Sequence, residues 1–387
     1  MVLVNGVDAP RNYDGSSLST PSFSGDLAAY GTTNINGINK HNNRMYMWDT
    51  NFGNFFYGGV NSVSGAFTEF QLDSVSNTGG NIVEMKTMSF DSGEGVDDYA
   101  VFILDTGEVV VYQGSNPGDA SAWALVGKYQ IPPIVAKRCA LEFAGDIFVL
   151  TSRDIIRLSD VIKTSSDSGG FILQPSKASG GISRDYLVYG SNYGWSLTAY
   201  PAEGWIIINV PIATDSEYRQ YVLNTVTGAY TELNAWNGSA FGILDDKLFF
   251  GNGTTLFNAN KTDDDNGSSI SLTGNQAFSN LGVSKKKKVS NVRLYMESEG
   301  SLDVGLSIGL DYNFPNPQGT QASSTIGAEW DEAEWDEAEW SGLQARTVDF
   351  VTGGLGVYVS IQTQLQVSGQ SVKWYSTTYN FNIAQNY

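Results

Sequence analysis

His41 is the only histidine of the chain and Cys139 the only cysteine, set against 41 Asp and Glu residues. That inventory limits the chemistry. A Ser-His-Asp triad would have to use His41, which lies in the polar stretch Lys40–Arg44 (KHNNR). A zinc site needs three or four His, Cys or carboxylate ligands, and His and Cys supply one each. Gly127–Lys128 lacks the upstream glycine of a phosphate-binding loop, because Ala122 holds that place. The run Asp263–Asp265, followed by Asn266 and Gly267, has the composition of a calcium loop. It lacks the alternating ligands and terminal glutamate of an EF-hand, and reads as an acidic linker. Paired carboxylates for glycoside cleavage are permitted by composition, yet no spacing selects a pair. The expectation is a protein without catalytic residues, cofactor or metal.

Two motifs stand out instead. Ala328–Trp340 (AEWDEAEWDEAEW) places Trp330, Trp335 and Trp340 five residues apart, a spacing that fits neither one helix stripe nor one strand face. The indoles either pack under the C-terminal strands or anchor a contact between subunits, since large rings in desolvated pockets are typical interface anchors. Lys285, Lys286, Lys287 and Lys288 form the one basic run. It is either a solvated start to the following strand or a contact to an acidic neighbour, such as the Trp-Asp-Glu repeat of another subunit. Such pairs orient docking more than they stabilise it.

The net charge is −19. This argues against a surface that grips nucleic acid through its phosphates or binds anionic lipid. Composition alone favours an ordinary acidic protein; the other reading is a channel whose carboxylates let DNA slide past without sticking. Cys139 reads as a small core residue; a lone cysteine forms no intrachain disulfide, and a reducing compartment is expected. No apolar run approaches the roughly 20 residues of a membrane helix. The N-terminal residues lack the basic start and apolar core of a signal peptide.

The elements that must carry any function are strands. Tyr99–Leu104 turns at Asp105–Gly107 into Val109–Tyr112. Ile147–Leu150 leads to Ile155–Leu158, Trp195–Tyr200 to Trp205–Val210, Phe241–Leu244 to Leu248–Phe250, and, more weakly, Met45–Trp48 to Phe55–Tyr57. Tyr221–Leu233 adds a hairpin in which Gly228 supplies a positive φ. The copies start about 50 residues apart, the spacing of propeller blades. No long segment has apolar residues at helical spacing. The expected fold is all-β: a β-propeller of five to six blades over residues 1–262, a linker over 263–288, and an antiparallel β-sandwich-like domain over 289–387. Val2–Val4 would close the propeller by completing the blade that ends at Leu256–Phe257. In the C-terminal part, Val289–Met296, Leu302–Leu310, Thr347–Thr352, Gly356–Val367 and Val372–Ile383 read as strands, with clear alternation in Tyr358–Val367.

Several segments resemble the tail hub, or nozzle, proteins of short-tailed bacteriophages. These are Val4–Gly15, His41–Trp48, Gly58–Phe67, Gly95–Tyr129 above all, Lys137–Leu150, Tyr189–Val210, Tyr221–Trp236 and Phe249–Gly253. The repeat Trp330–Trp340 is also similar to a feature of that family, whereas the lysine run has no counterpart there and many relatives are longer at the N-terminus. The resemblance implies a virion structural protein assembled in the host cytoplasm. Its subunits would form a ring, commonly six-fold, below the portal and adaptor, through which DNA leaves. Its partners would be further copies of itself, the tail adaptor and other tail proteins, with no membrane segment. The competing readings are a glycan- or receptor-binding propeller at the tail tip and a propeller glycosidase or lyase.

Overall fold

The computed structural model describes residues 1–91, 96–164, 179–213, 216–233, 236–259, 262–299, 302–315, 320–323, 344–351 and 354–384. The chain divides into two compact units, Met1–Ala259 and Asn260–Tyr387. Both are built from small antiparallel sheets.

In the first unit, five sheets follow one another along the chain. Sheet I holds Phe23–Gly25, Gly37–His41, Arg44–Trp48, Phe55–Val60 and Gly65–Phe70; sheet II holds Ile82–Asp91, Val96–Leu104, Glu108–Gly114 and Trp123–Gln130. Sheet III holds Ala140–Phe143, Asp146–Leu150 and Ile155–Arg157. Sheet IV holds Ser196–Tyr200, Trp205–Ala213, Glu217–Asn224 and Tyr230–Leu233, and sheet V holds Ala240–Leu244, Lys247–Asn252 and Thr255–Asn258. Each of the five expected hairpins lies within one of these sheets. Their turns follow from local chemistry. His41 pairs with Arg44 and Leu244 with Lys247, so both loops have two residues. Asn42 and Asn43, like Asp245 and Asp246, all take positive φ. Asn and Asp tolerate that region, and its twist matches the flanking strands. Gly107 (φ 82°) is needed twice over, because a Cβ there would sit 2.2 Å from the Ile131 carbonyl oxygen.

The apolar runs of sheets II and IV are continuous because those sheets bury both faces. Ala100, Phe102 and Leu104 pack toward sheet I with Tyr46, Trp48 and Phe55, and the Phe55 and Phe102 rings stack at 4.5 Å. Val101 and Ile103, from the same strand, join the core shared with sheets III and IV. In sheet IV, Ile206, Ile208 and Val210 face that core, while Ile207 faces sheet V with Leu248 and Phe250. Each such side chain contributes about 1.5–3 kcal/mol by burial.

The N-terminal residues do something else than expected. Val2–Leu3 pairs with Arg11–Asn12 in a separate three-stranded sheet, and the Met1 ammonium donates to the Tyr13 carbonyl at 2.8 Å. Val2 and Val4 pack on the outer core of sheet I, so they do not complete the sheet that ends at Leu256–Phe257. Helices are present too. Ser179–Tyr189 lays Ile182, Asp185, Tyr186 and Tyr189 on one face, a helical stripe broken in the sequence by its buried aspartate.

In the second unit, one sheet runs in the order Ile270–Asn275, Val359–Val367, Leu302–Leu310, Thr320–Ser323. The other joins Lys287–Ser298 to Gln344–Val351, Leu355–Gly356 and Val372–Ile383. Val292, Leu294 and Met296 of the second sheet share one core with Val304, Leu306 and Ile361 of the first. Along Val359–Val367 the odd-numbered residues are buried, as the alternation predicts. The expected linker 263–288 is not a plain connector. It contains the strand Ile270–Asn275, which is polar and is held by a ladder to Val359–Val367.

Between sheets I and II a loop is tied down by one carboxylate. Glu108, 2% exposed, accepts from Ser76 Oγ (2.6 Å), the Asn77 amide (2.9 Å), the Thr78 amide (2.8 Å) and Thr78 Oγ1 (2.7 Å). Burial pushes its pKa up, but these hydrogen bonds together outweigh burial and hold it below its ordinary value of 4.5. A lowered folded-state pKa means stability that is present above about pH 4.5 and lost as pH falls through the folded value. Glu108→Gln keeps the shape and removes the charge. Urea unfolding at pH 7 should show a loss of about 1.5–3 kcal/mol, and the variant's stability should vary less than the parent's below pH 4.5.

Candidate functional site

Edge strands of consecutive sheets lie side by side: Gly37–His41 against Ile82–Asp91, that strand against Ala140–Phe143, and Ala140–Phe143 against Ser196–Tyr200. Along this seam polar and charged side chains replace the apolar pattern. Glu142 accepts from the Thr87 amide at 2.8 Å, and Asn39 Nδ2 donates to the Met85 carbonyl at 2.9 Å. These contacts tie sheets I, II and III together. Glu84, 6% exposed, accepts from the Arg138 amide at 3.0 Å and pairs with Lys86 Nζ at 3.2 Å. Arg138 has φ 70°, a left-handed conformation unusual for its type. Its carbonyl accepts from the Leu197 amide at 2.9 Å, which fixes the residue between sheets II and IV. Its guanidinium donates to the Tyr193 hydroxyl and lies 5.7 Å over the Tyr193 ring. Lys137 is half-buried; desolvation lowers its pKa, opposed by Glu84.

His41 closes one end of the seam. Its Nε2 lies 3.0 Å from the Gly114 carbonyl and 3.2 Å from Asn42 Nδ2, and Nδ1 faces Thr87 Oγ1 at 3.3 Å. The ring is buried edge-on to Tyr46 and Trp123. Tyr46 Oη and Trp123 Nε1 have no hydrogen-bond partner among the described residues. Desolvation pushes the His41 pKa below 6.5, against the hydrogen bond to Gly114 and the charges of Asp98 and Glu142. His41 is thus packed between sheets I and II, with its ring held by contacts to Gly114 and Thr87.

The residues singled out by sequence fall elsewhere. Trp330, Trp335 and Trp340 lie outside the described residues. Lys285, Lys286 and Lys288 are exposed, but Lys287 is fully buried. Its Nζ donates to the carbonyls of Val283 (2.6 Å), Lys285 (3.0 Å) and Val357 (2.7 Å). This corrects the expectation of a uniformly surface-facing basic run: strand alternation turns Lys287 inward, where backbone oxygens engage its ammonium. Asp264 caps the amide of Gly267 at 2.8 Å, so the acidic run forms a turn, and no group of metal-holding residues exists among the described residues. Gly305–Gly309 has the Gly-x-Ser-x-Gly spacing of a nucleophile elbow, yet lies inside a strand, with Ser307 Oγ donating to the Pro315 carbonyl at 2.6 Å. Cys139 is fully buried, and desolvation raises its pKa. The seam residues Glu84, Lys86, Lys137 and Arg138 escaped sequence reasoning. Their only signal is a cationic pair, Lys137–Arg138, in an acidic chain.

No protein-family model and no curated protein matches the chain. Among solved structures it is similar to a protein from Bacteroides uniformis described as a 6-phosphogluconolactonase, at 11% identity over 67% of this chain and 79% of that one, with a TM-score of 0.38. It is also similar to a glycoside hydrolase family 43 arabinoxylan arabinofuranohydrolase from Bacillus subtilis, at 9% identity over 89% and 78%, with a TM-score of 0.27. The WD40 domain of SCAP from fission yeast matches at 9% identity over 84% and 82%, with a TM-score of 0.29. No residue role is carried over from any of them.

Two outcomes follow from the site geometry. Because the folded state depresses the His41 pKa, the unfolded chain binds more protons as pH falls below 6.5, and stability falls with it. Thermal unfolding between pH 7.5 and about 5 should show this slope in the parent and a shallower one in His41→Gln. Lys287→Met removes the buried donor to three backbone carbonyls and should cost about 1–3 kcal/mol in urea unfolding, whereas Lys286→Met should stay within about 0.5 kcal/mol.

Proposed function

We propose that this chain is a structural subunit of a short-tailed bacteriophage tail, a hub or nozzle protein without catalytic activity. In this reading sheets I to V are blades of a β-propeller, and the edge strands that lie side by side are the inner strands. The observation that carries the reading is the succession of small sheets packed face against face, with edge strands of sheets I to IV side by side. Such a body keeps its shape because each ladder is locked between neighbours. The segments that resemble the family support it: Tyr189–Val210 runs into the first two strands of sheet IV, and the strongest, Gly95–Tyr129, spans the last three strands of sheet II. The charge of −19 is suited to a conduit that repels DNA from its walls. Copies would form a ring, six-fold by the resemblance, by repeating one heterologous contact until it closes. The exposed Lys285, Lys286 and Lys288 and the tryptophan repeat would contribute to that contact, and the tail adaptor would bind one end.

Antibody-gold electron microscopy on particles from the source tests the proposal. Gold at the distal tail is the expected result; particles that contain no copy of this chain would remove the virion reading.

A further inference from the structure

A cavity of about 100 Å³ lies between sheet II and the short helix Leu158–Thr164, which follows sheet III. Its floor is Met88, Tyr99 and Val111, side chains on one face of sheet II, with Met88 paired to Tyr99 across the ladder. Its roof is Ser159, Ile162 and Lys163, which helical spacing brings to one side. Leu158 and Val161 of the same helix are sunk in the core, so the roof is anchored. Ser159 spends its polar atoms on Asp146: its amide donates at 3.1 Å, and its hydroxyl donates to the same carboxylate. The remaining wall is almost wholly carbon.

Val126 also lines the cavity and is 42% exposed, and Lys163 is exposed, so these two residues mark its mouth. Val126 is the extra residue of a β-bulge, because Val111 pairs with Gly127 and Tyr112 with Leu125. Bulges re-aim a side chain and are over-represented beside functional sites. Protein interiors leave few voids larger than a water molecule. An apolar cavity gives water too few partners and stays dry, and one of about 150 Å³ admits benzene.

We propose that this cavity is a binding site for a small apolar molecule, the size of one aromatic ring or a short alkyl chain. The ligand enters between Val126 and Lys163 and leaves its polar end in solvent there. Met88 supplies an adaptable thioether and Tyr99 an aromatic wall.

Saturation-transfer NMR on the full chain, with benzyl alcohol, hexanol and glycerol at millimolar concentration, tests the site. Transfer to the ring and alkyl protons is expected, with none to glycerol, and hexanol should displace benzyl alcohol. Ile162→Phe fills the space from the roof. Val126→Asp puts a charge at the mouth, on an exposed bulge where the fold tolerates it. Each should weaken binding ten-fold or more while thermal unfolding stays cooperative. Failure of both apolar probes to bind, or binding equal to the parent's in either folded variant, overturns the site. The outcome is independent of where the chain sits in a particle.

Discussion

Burial of both faces of each inner sheet is the constraint on which the first unit depends. A sheet with one covered face can alternate apolar and polar residues; sheets II and IV cannot, because successive side chains on one strand serve different neighbours. Phe102 belongs to the packing with sheet I and Ile103 to that with sheet III, one residue away. A one-residue slip would exchange the two cores, so the register of every hairpin is tied to that of the adjacent sheets. The short turns at Asn42–Asn43 and Asp245–Asp246 set that register locally, before any sheet meets another.

The same constraint explains what could be read from the sequence. Runs such as YAVFIL and WIIINV announce strands because two-sided burial leaves no polar interruption, and the strands of the second unit announce themselves by alternation. Elements held mainly by polar or long-range contacts were silent. Ile270–Asn275 has little apolar character and becomes a strand only because Val359–Val367 pairs with it. The helix Ser179–Tyr189 hides its stripe behind Asp185, which faces inward to bond Arg219 and Tyr221. Val2–Val4 looks like any edge strand, and only tertiary packing directs it to Arg11–Asn12.

The site was less legible than the fold for a related reason. Charged residues reveal their role through partners, and partners lie far apart in the chain: Glu84 with Arg138, Asn39 with Glu142, Lys287 with Val357. A run of four lysines looks uniform on paper. In the strand one of the four enters the interior, and its charge is used by backbone oxygens. The seam shows the converse, where Glu84, of modest interest alone, receives both Lys86 and the Arg138 amide.

The two units differ in how far apart their paired strands lie along the chain, and this bears on how the protein is made. Within sheets II to V every ladder joins consecutive strands, so each sheet can form as soon as its own segment leaves the ribosome, a low-contact-order process. The second unit has no such freedom. Lys287–Ser298 finds a main partner only in Val372–Ile383, and Ile270–Asn275 waits for Val359–Val367. Its two sheets stay incomplete until Val359–Val367 and Val372–Ile383 are synthesised, which makes this unit the slower to fold and leaves its open strand edges in need of protection during synthesis.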